Sequence, residues 1–275
     1  MEKDDHHMYW MDYHSHTNCS TDSTATLAQQ AEAAFQAGIR EMCVTDHWNL
    51  LDQQANPLPH SYDWTTPLAN WKEARNRFAG KVEIRLGVEV GNGVLDPEGV
   101  EASLALPELD FVIGSLHNLT PEGGAKDFYY MDYNTPEVCY ACLDDYFGQM
   151  MRLAPLPDYD ALGHIIYPLR YMCTRDGQTV SLERYWDQIR EILRSVVQTG
   201  HAIELNTYNG RTLEDWMPVL AIYKEVGGEL ITVGSDAHRT ENVGKGVPAA
   251  YELLSAAGFR YVTLYEKRKP RPVKL

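Results

Sequence analysis

Cysteine is scarce in this chain of 275 residues: there are five, at positions 19, 43, 139, 142 and 173. An odd number without framework spacing excludes a disulfide scaffold and points to free thiols in a reducing, cytoplasmic setting. Cys139 and Cys142, in "CYAC", resemble half of a zinc site, but no second pair exists. They fall within a helical pattern over 136–154, so they read as packed thiols, and Cys19 reads as loop packing. No stretch approaches the roughly 18 apolar residues that a membrane-spanning helix needs. The opening "MEKDDHHMYW" has no apolar core, so a signal peptide is not expected. Positive charge is also short: 24 Lys and Arg against 39 Asp and Glu give a net charge of −15. Such a surface repels nucleic acid and anionic lipid, so neither is an expected partner. It repels a small phosphate ester as well, unless bound metal ions supply local positive charge. There is no phosphate-binding glycine loop, no dinucleotide fingerprint and no G-x-S-x-G elbow.

What is present is an ordinary globular composition, 44% hydrophobic and 23% charged. The length suits one large α/β barrel or two modest domains. Strand-like apolar runs at 10–14, 41–47, 84–90, 110–117, 161–166, 202–207 and 230–236 alternate with helical patterns. The clearest helices are 26–38, 181–200 (a Ser cap with a Glu close behind, and a Gly stop), 213–228 (with Pro218 an imperfection inside it) and 247–258. This alternation predicts parallel strands in an α/β barrel or an open sheet. Two long connections, 48–67 and 118–136, follow strand C-terminal ends, where such folds place their sites.

The histidines and acids mark those same ends. His14 and His16 close the first run, Asp46 and His47 the second, Glu89 the third and His117 the fourth. His164 stands near the end of the fifth, Glu204 and Asn206 end the sixth, and Asp236 and His238 end the seventh. If the first strand stays extended, Asp12, His14 and His16 share one face. Two imidazoles so placed can hold one cation, and Asp12 can orient one of them from behind. The remaining histidines read as structural: His201 at the opposite strand end, His60 on a surface loop, and His6 and His7 in a charged terminus.

Taken in order, "DYHSHTNCSTD", "VTDHWN", "GVEVG", "GSLHN", "ALGHI", "ELNT" and "GSDAHR" resemble the motif series of the PHP (polymerase and histidinol phosphatase) superfamily. The closing "GFRYVTLYEKRKP" is similar to the end of its histidinol-phosphatase branch. The resemblance implies one domain over 1–275, with 1–9 a flexible extension, folded as a distorted (β/α)7 TIM-like barrel with a metal site at the strand C-terminal ends. It implies two to three divalent ions on His14, His16, Asp22, His47, Glu89, His117, His164, Asp236 and His238, with Glu89 bridging two of them. Asp12, Asp46, Glu204 and Asn206 would stand behind the ligands. Imidazole and carboxylate ligands without thiolate suit Zn, Mn or Fe. Three such ions against three carboxylates leave a site of about +3, attractive to a phosphate dianion.

The implied chemistry is hydrolysis of a small-molecule phosphate ester, L-histidinol phosphate first, by a metal-activated hydroxide. Glu89 would hold the ions, and Asp46 or a metal-bound water would protonate the leaving alkoxide. Arg170, Arg211 and Arg239 would complete the phosphate pocket. One departure stands out: two positions after His164, where many relatives carry Asp, this chain has Ile166. The alternatives are a sugar phosphate, nucleotide phosphate or phosphodiester as substrate, a metal-dependent amidohydrolase, and an inactive binding barrel. No Lys occurs on the fourth or fifth strand to bridge metals as amidohydrolases often require. None of the nine ligand positions is lost, as an inactive barrel would predict.

Overall fold

The computed structural model describes residues 8–275; His6, His7 and most of the expected N-terminal extension lie outside the described residues. Eight strands run parallel: β1 (Met11–Asp12), β2 (Glu41–Val44), β3 (His47–Asn49), β4 (Glu83–Gly91), β5 (Phe111–Ser115), β6 (Ala161–Leu162), β7 (Ala202–Asn206) and β8 (Ile231–Gly234). Around the ring the order is β1-β2-β4-β5-β6-β7-β8, and β3 pairs with β4 further along, at His47 opposite Glu89. Beyond β1 and β8 the ring draws together. Tyr13 N–H donates to the Val233 carbonyl at 2.9 Å, and Ser15 bridges to Ala237. The result is the distorted TIM-like barrel of seven strand positions.

Helices α1 (Leu27–Gln36), α2 (Thr65–Arg77), α3 (Pro97–Ser103), α4 (Pro136–Leu153), α5 (Trp186–Thr199), α6 (Trp216–Glu225) and α7 (Val247–Ala256) connect and cover the strands. Each buries one stripe; α5 does so through Ile189, Ile192, Leu193 and Val196, spaced three and four apart, and stops at Gly200 with φ 79°. The Ser cap expected near 181 does not start α5. Ser181 Oγ instead accepts Glu183 N–H, and residues 183–185 form a tight 3-10 turn ahead of the helix. Pro218 falls in the first turn of α6, where its missing N–H costs nothing. Helix α2 carries almost no apolar signal, burying only Trp71 and Ala74, and was not anticipated.

Several strands are shorter than their apolar runs. The first pairs regularly only through Asp12, because the Asp12 carboxylate turns aside to accept Ser235 N–H (2.8 Å), Ser235 Oγ–H (2.6 Å) and Gly244 N–H (2.8 Å). The fifth leaves its partners after Leu162.

The sequence reading missed a terminal hairpin, β9 (Tyr261–Glu266) and β10 (Lys269–Lys274). Its turn residues, Lys267 and Arg268, both have positive φ (53° and 62°), where Asn-Gly would be usual. Asp110 holds that turn by accepting Lys267 N–H at 2.9 Å. The hairpin packs at the N-terminal ends of the strands. There the buried Glu41 carboxylate accepts from Tyr13 (2.5 Å), Tyr9 (2.9 Å), Arg85 (2.9 Å) and Arg271 of β10 (2.6 Å). Glu41→Ala strands the Arg85 charge and breaks the hairpin's anchor, so it is expected to lower unfolding free energy by about 3 kcal/mol. Urea denaturation checks this, and a loss under about 1 kcal/mol would contradict the anchoring role.

Candidate metal centre

At the opposite, C-terminal end the strands converge on Glu89, which is fully buried on β4. Its Oε2 faces His47 Nδ1 (2.8 Å), His14 Nε2 (3.3 Å) and His16 Nε2 (3.7 Å). Its Oε1 faces His164 Nε2 (2.8 Å) and His117 Nε2 (3.2 Å), and accepts Ser115 Oγ–H at 2.7 Å. Beside this group Asp236 Oδ1 lies 3.2 Å from His16 Nε2 and 3.4 Å from His14 Nε2. Asp22, at the rim, lies 3.3 Å from His47 Nε2 and 3.2 Å from His238 Nε2. All nine sequence-predicted ligand positions are therefore brought together.

The donor set fits divalent cations. Among the described residues His14 Nε2, His16 Nε2, His47 Nδ1, Glu89 Oε2 and His164 Nδ1 are buried without a hydrogen-bond partner. Protein interiors rarely leave so many polar atoms unpaired in one place. Four overlapping trios converge to ligand distance: His16/His47/His238, His14/His16/Glu89, His14/His164/Asp236 and His47/Glu89/His117. Burial works against the Glu89 and Asp236 anions, yet the surrounding cations, His14 foremost, hold both carboxyls well below their usual range.

Hydrogen bonds behind the ring aim the imidazoles. His14 Nδ1 donates to Glu204 Oε1 at 2.5 Å, leaving Nε2 free to ligate. Asn206 Nδ2 donates to the same Glu204 oxygen at 3.1 Å and lies 3.3 Å from Asp236 Oδ2. His117 Nδ1 pairs with Asn49 Oδ1 (2.9 Å), and His238 Nδ1 with the Asp236 carbonyl (3.0 Å). His16 Nδ1 meets Ser20 Oγ at 3.3 Å, whose own hydrogen goes to Asp46 Oδ1 at 2.7 Å. Ser20 and Asn49 escaped the sequence reading because neither type nor spacing marks a hydroxyl or amide that acts through a histidine.

Four expectations need correction. Asp12 orients no imidazole; it is consumed by Ser235 and Gly244, and Glu204 orients His14 instead. Asp46 is buried away from the cavity, its oxygens taken by Thr17 N–H (2.6 Å), Thr17 Oγ–H (2.8 Å) and Ser20, so it is not placed to protonate a leaving group. Arg211 is exposed beside Tyr208 and does not line the cavity. Arg239 reaches only the rim, with its side chain 76% exposed and near Glu241.

Arg170 does enter the site. It begins a π-helical turn, Arg170–Arg175, and is buried with its guanidinium 4.6 Å from the Tyr208 ring centre and 5.1 Å from that of Tyr167. Nη1 donates to Asp236 Oδ2 at 2.6 Å, while Nη2 has no partner among the described residues. The cavity above it holds about 610 Å³. Asp236 itself sits at φ 59°, a left-handed position that turns its carboxylate inward from the end of β8.

A parallel barrel with a histidine–carboxylate cluster at its C-terminal mouth defines a class of metal-binding barrel proteins. The chain belongs to the PHP domain family, whose sequence profile matches residues 12–208. It is 28% identical over 261 residues to a probable histidinol-phosphatase of Clostridium acetobutylicum, covering 94% of this chain and 97% of that one. It is 25% identical over 271 residues to the histidinol-phosphatase of Lactococcus lactis subsp. lactis, covering 94% and 95%. The crystal structure of the histidinol phosphate phosphatase from Lactococcus lactis, complexed with zinc, L-histidinol and phosphate, shares the fold. Its TM-score is 0.83 at 23% identity, with 95% of this chain and 98% of that chain covered.

Two outcomes follow for the centre itself. A Cβ at Gly234 would stand 2.4 Å from His14 Cβ and 2.6 Å from Glu204 Oε1. Gly234→Ala is therefore expected to displace His14 and lower bound metal, read by elemental analysis of folded protein; wild-type metal content would contradict it. In metal-stripped protein, burial disfavours the His47 cation, but Glu89 and Asp22 outweigh this and raise it from 6.5 to about 10. A raised folded value means that its contribution is complete below pH 6.5 and is lost as pH rises through about 10. Denaturation of stripped protein across that window should show the loss, and metal-replete protein should not share it; parallel profiles would contradict the assignment.

Proposed function

We propose that this protein is a metal-dependent phosphomonoesterase, a histidinol-phosphatase that converts L-histidinol phosphate and water to L-histidinol and phosphate. The observation that carries the reading is one buried carboxylate, Glu89, ringed by five imidazoles on a cavity that it shares with Arg170, whose Nη2 is unpaired. The names of the relatives, which align over nearly the whole chain, support the substrate.

His14, His16, His47, His117, His164, His238, Glu89, Asp236 and Asp22 would hold two or three divalent ions, drawn from Zn, Mn or Fe. When bound, such ions supply Lewis-acid polarisation of phosphate oxygens and lower the pKa of coordinated water toward about 7. Glu89 offers one oxygen to the His14/His16/His47 side and the other to the His117/His164 side, so it holds the centre together rather than moving protons. Arg170 lines the cavity with Nη2 unpaired among the described residues, and that donor would bind a phosphate oxygen. Asp236 fixes that guanidinium through Nη1, and the Tyr167 and Tyr208 faces hold it in plane. Burial of the cluster excludes bulk water and strengthens each of these interactions.

Metal-replete protein should release phosphate from L-histidinol phosphate in preference to sugar phosphates, AMP and a phosphodiester. Arg170→Met should lower kcat/KM by about 100-fold, the typical worth of a charged donor to a transferring group. His16→Ala should abolish turnover together with bound metal. Preference for another ester in the panel would overturn the substrate while leaving the chemistry. Release from none of them would overturn the phosphatase reading.

A further inference from the structure

The cavity contains one carboxylate that the metal centre does not employ. Asp127 lies in the connection after β5, fixed by its bridge to Asn118 and by the Phe128 N–H bond to the His117 carbonyl at 2.9 Å. Its Oδ1 accepts Tyr129 N–H at 2.7 Å and caps a short 3-10 turn, Phe128–Tyr130. The carboxylate makes no other hydrogen bond and no ion pair among the described residues, and it belongs to none of the converging donor trios. Yet it lines the cavity alongside His117, Tyr130 and Tyr167.

The other acids of this wall are committed. Asp52 is consumed by Gln54 and Asn56, Asp236 by Arg170, and Asp22 by His47 and His238. Neither cation of the wall pairs with Asp127: Arg170 holds Asp236 through Nη1, and Arg239 projects into solvent. Burial works against the Asp127 anion, and the His117 and His47 imidazoles and the Tyr129 N–H offset this only in part. A carboxylate left alone in a cavity meant for a phosphate dianion opposes binding unless the incoming molecule carries compensating positive charge. The exposed ring of Tyr130 beside it is suited to a cationic or planar nitrogen group.

We propose that Asp127 is the specificity-determining residue for the alcohol half of the substrate, accepting a hydrogen bond from a cationic nitrogen borne a few bonds from the ester oxygen. The substrate class is then an amino-alcohol phosphate rather than a sugar or nucleotide phosphate. The inference rests on the phosphatase reading above and assigns the discrimination within it to one side chain.

The test compares L-histidinol phosphate with 4-nitrophenyl phosphate, whose leaving group has no cation, on metal-replete wild type, Asp127→Asn and Asp127→Glu. Asn caps a turn as well as Asp does, so the Asn variant removes the charge and keeps the local fold. The ratio of kcat/KM for L-histidinol phosphate over the aryl ester should fall by about tenfold or more in Asp127→Asn, as expected for a charge-assisted hydrogen bond. The fall should lie mainly in KM, and Asp127→Glu should recover part of it. An unchanged ratio, or an equal loss on both esters, would overturn the proposal. Failure of wild type on both esters would remove the phosphatase reading and this inference with it. Turnover of the aryl ester alone would leave phosphatase chemistry standing and refute the cation preference.

Discussion

The upper half of this barrel depends on a carboxylate that protein atoms alone leave poorly satisfied. Among the described residues Glu89 has no lysine or arginine beside it; Ser115 donates one hydrogen bond, and the rest of its polar neighbours are imidazole nitrogens, several of them without hydrogen bonds. Taking an anion out of water costs several kcal/mol unless positive charge meets it. Divalent ions held by Glu89 and the histidines would remove that cost and use the unpaired nitrogens at once. Strand ends, glycine placement and the layer of Glu204, Ser20 and Asn49 can all be understood as holding the ring of donors around this one side chain.

The two ends of the barrel solve opposite electrostatic problems. At the N-terminal end Glu41 is also buried, but Arg85, Arg271 and two tyrosine hydroxyls satisfy it, and the terminal hairpin covers it. That end is complete in itself and contributes stability. At the C-terminal end the polar groups face a cavity, and bound cations would close the balance. Arg170 shows the same division on a smaller scale: one nitrogen secures it to Asp236, and the other is left for a ligand.

Much of this was legible in the sequence because strand ends in a parallel barrel share one face of the fold. A histidine or acid at the close of each apolar run, from His14 to His238, therefore had to converge. What was not legible has physical causes. The β9–β10 hairpin turns through Lys267 and Arg268, residues that carry no turn signal and are held there by Asp110. Helix α2 has too few buried residues to show a period. Asp12 and Asp46 sit next to ligands in sequence, but alternating strand geometry fails where the chain leaves its ladder: Asp12 holds a loop, and Asp46 reaches His16 only through Ser20 and is not placed to move a proton. Arg211 and Arg239 are near the site along the chain, yet their side chains lead away from its centre.

The central claim is that Glu89 joins two metal positions rather than accepting hydrogen bonds from protonated histidines. Anomalous X-ray diffraction from crystals of metal-replete protein tests it directly. At least two metal peaks are expected, one beside each Glu89 oxygen, with His14 and His16 on one side and His117 or His164 on the other. A single peak remote from Glu89, or none in protein shown to carry metal in solution, would contradict it.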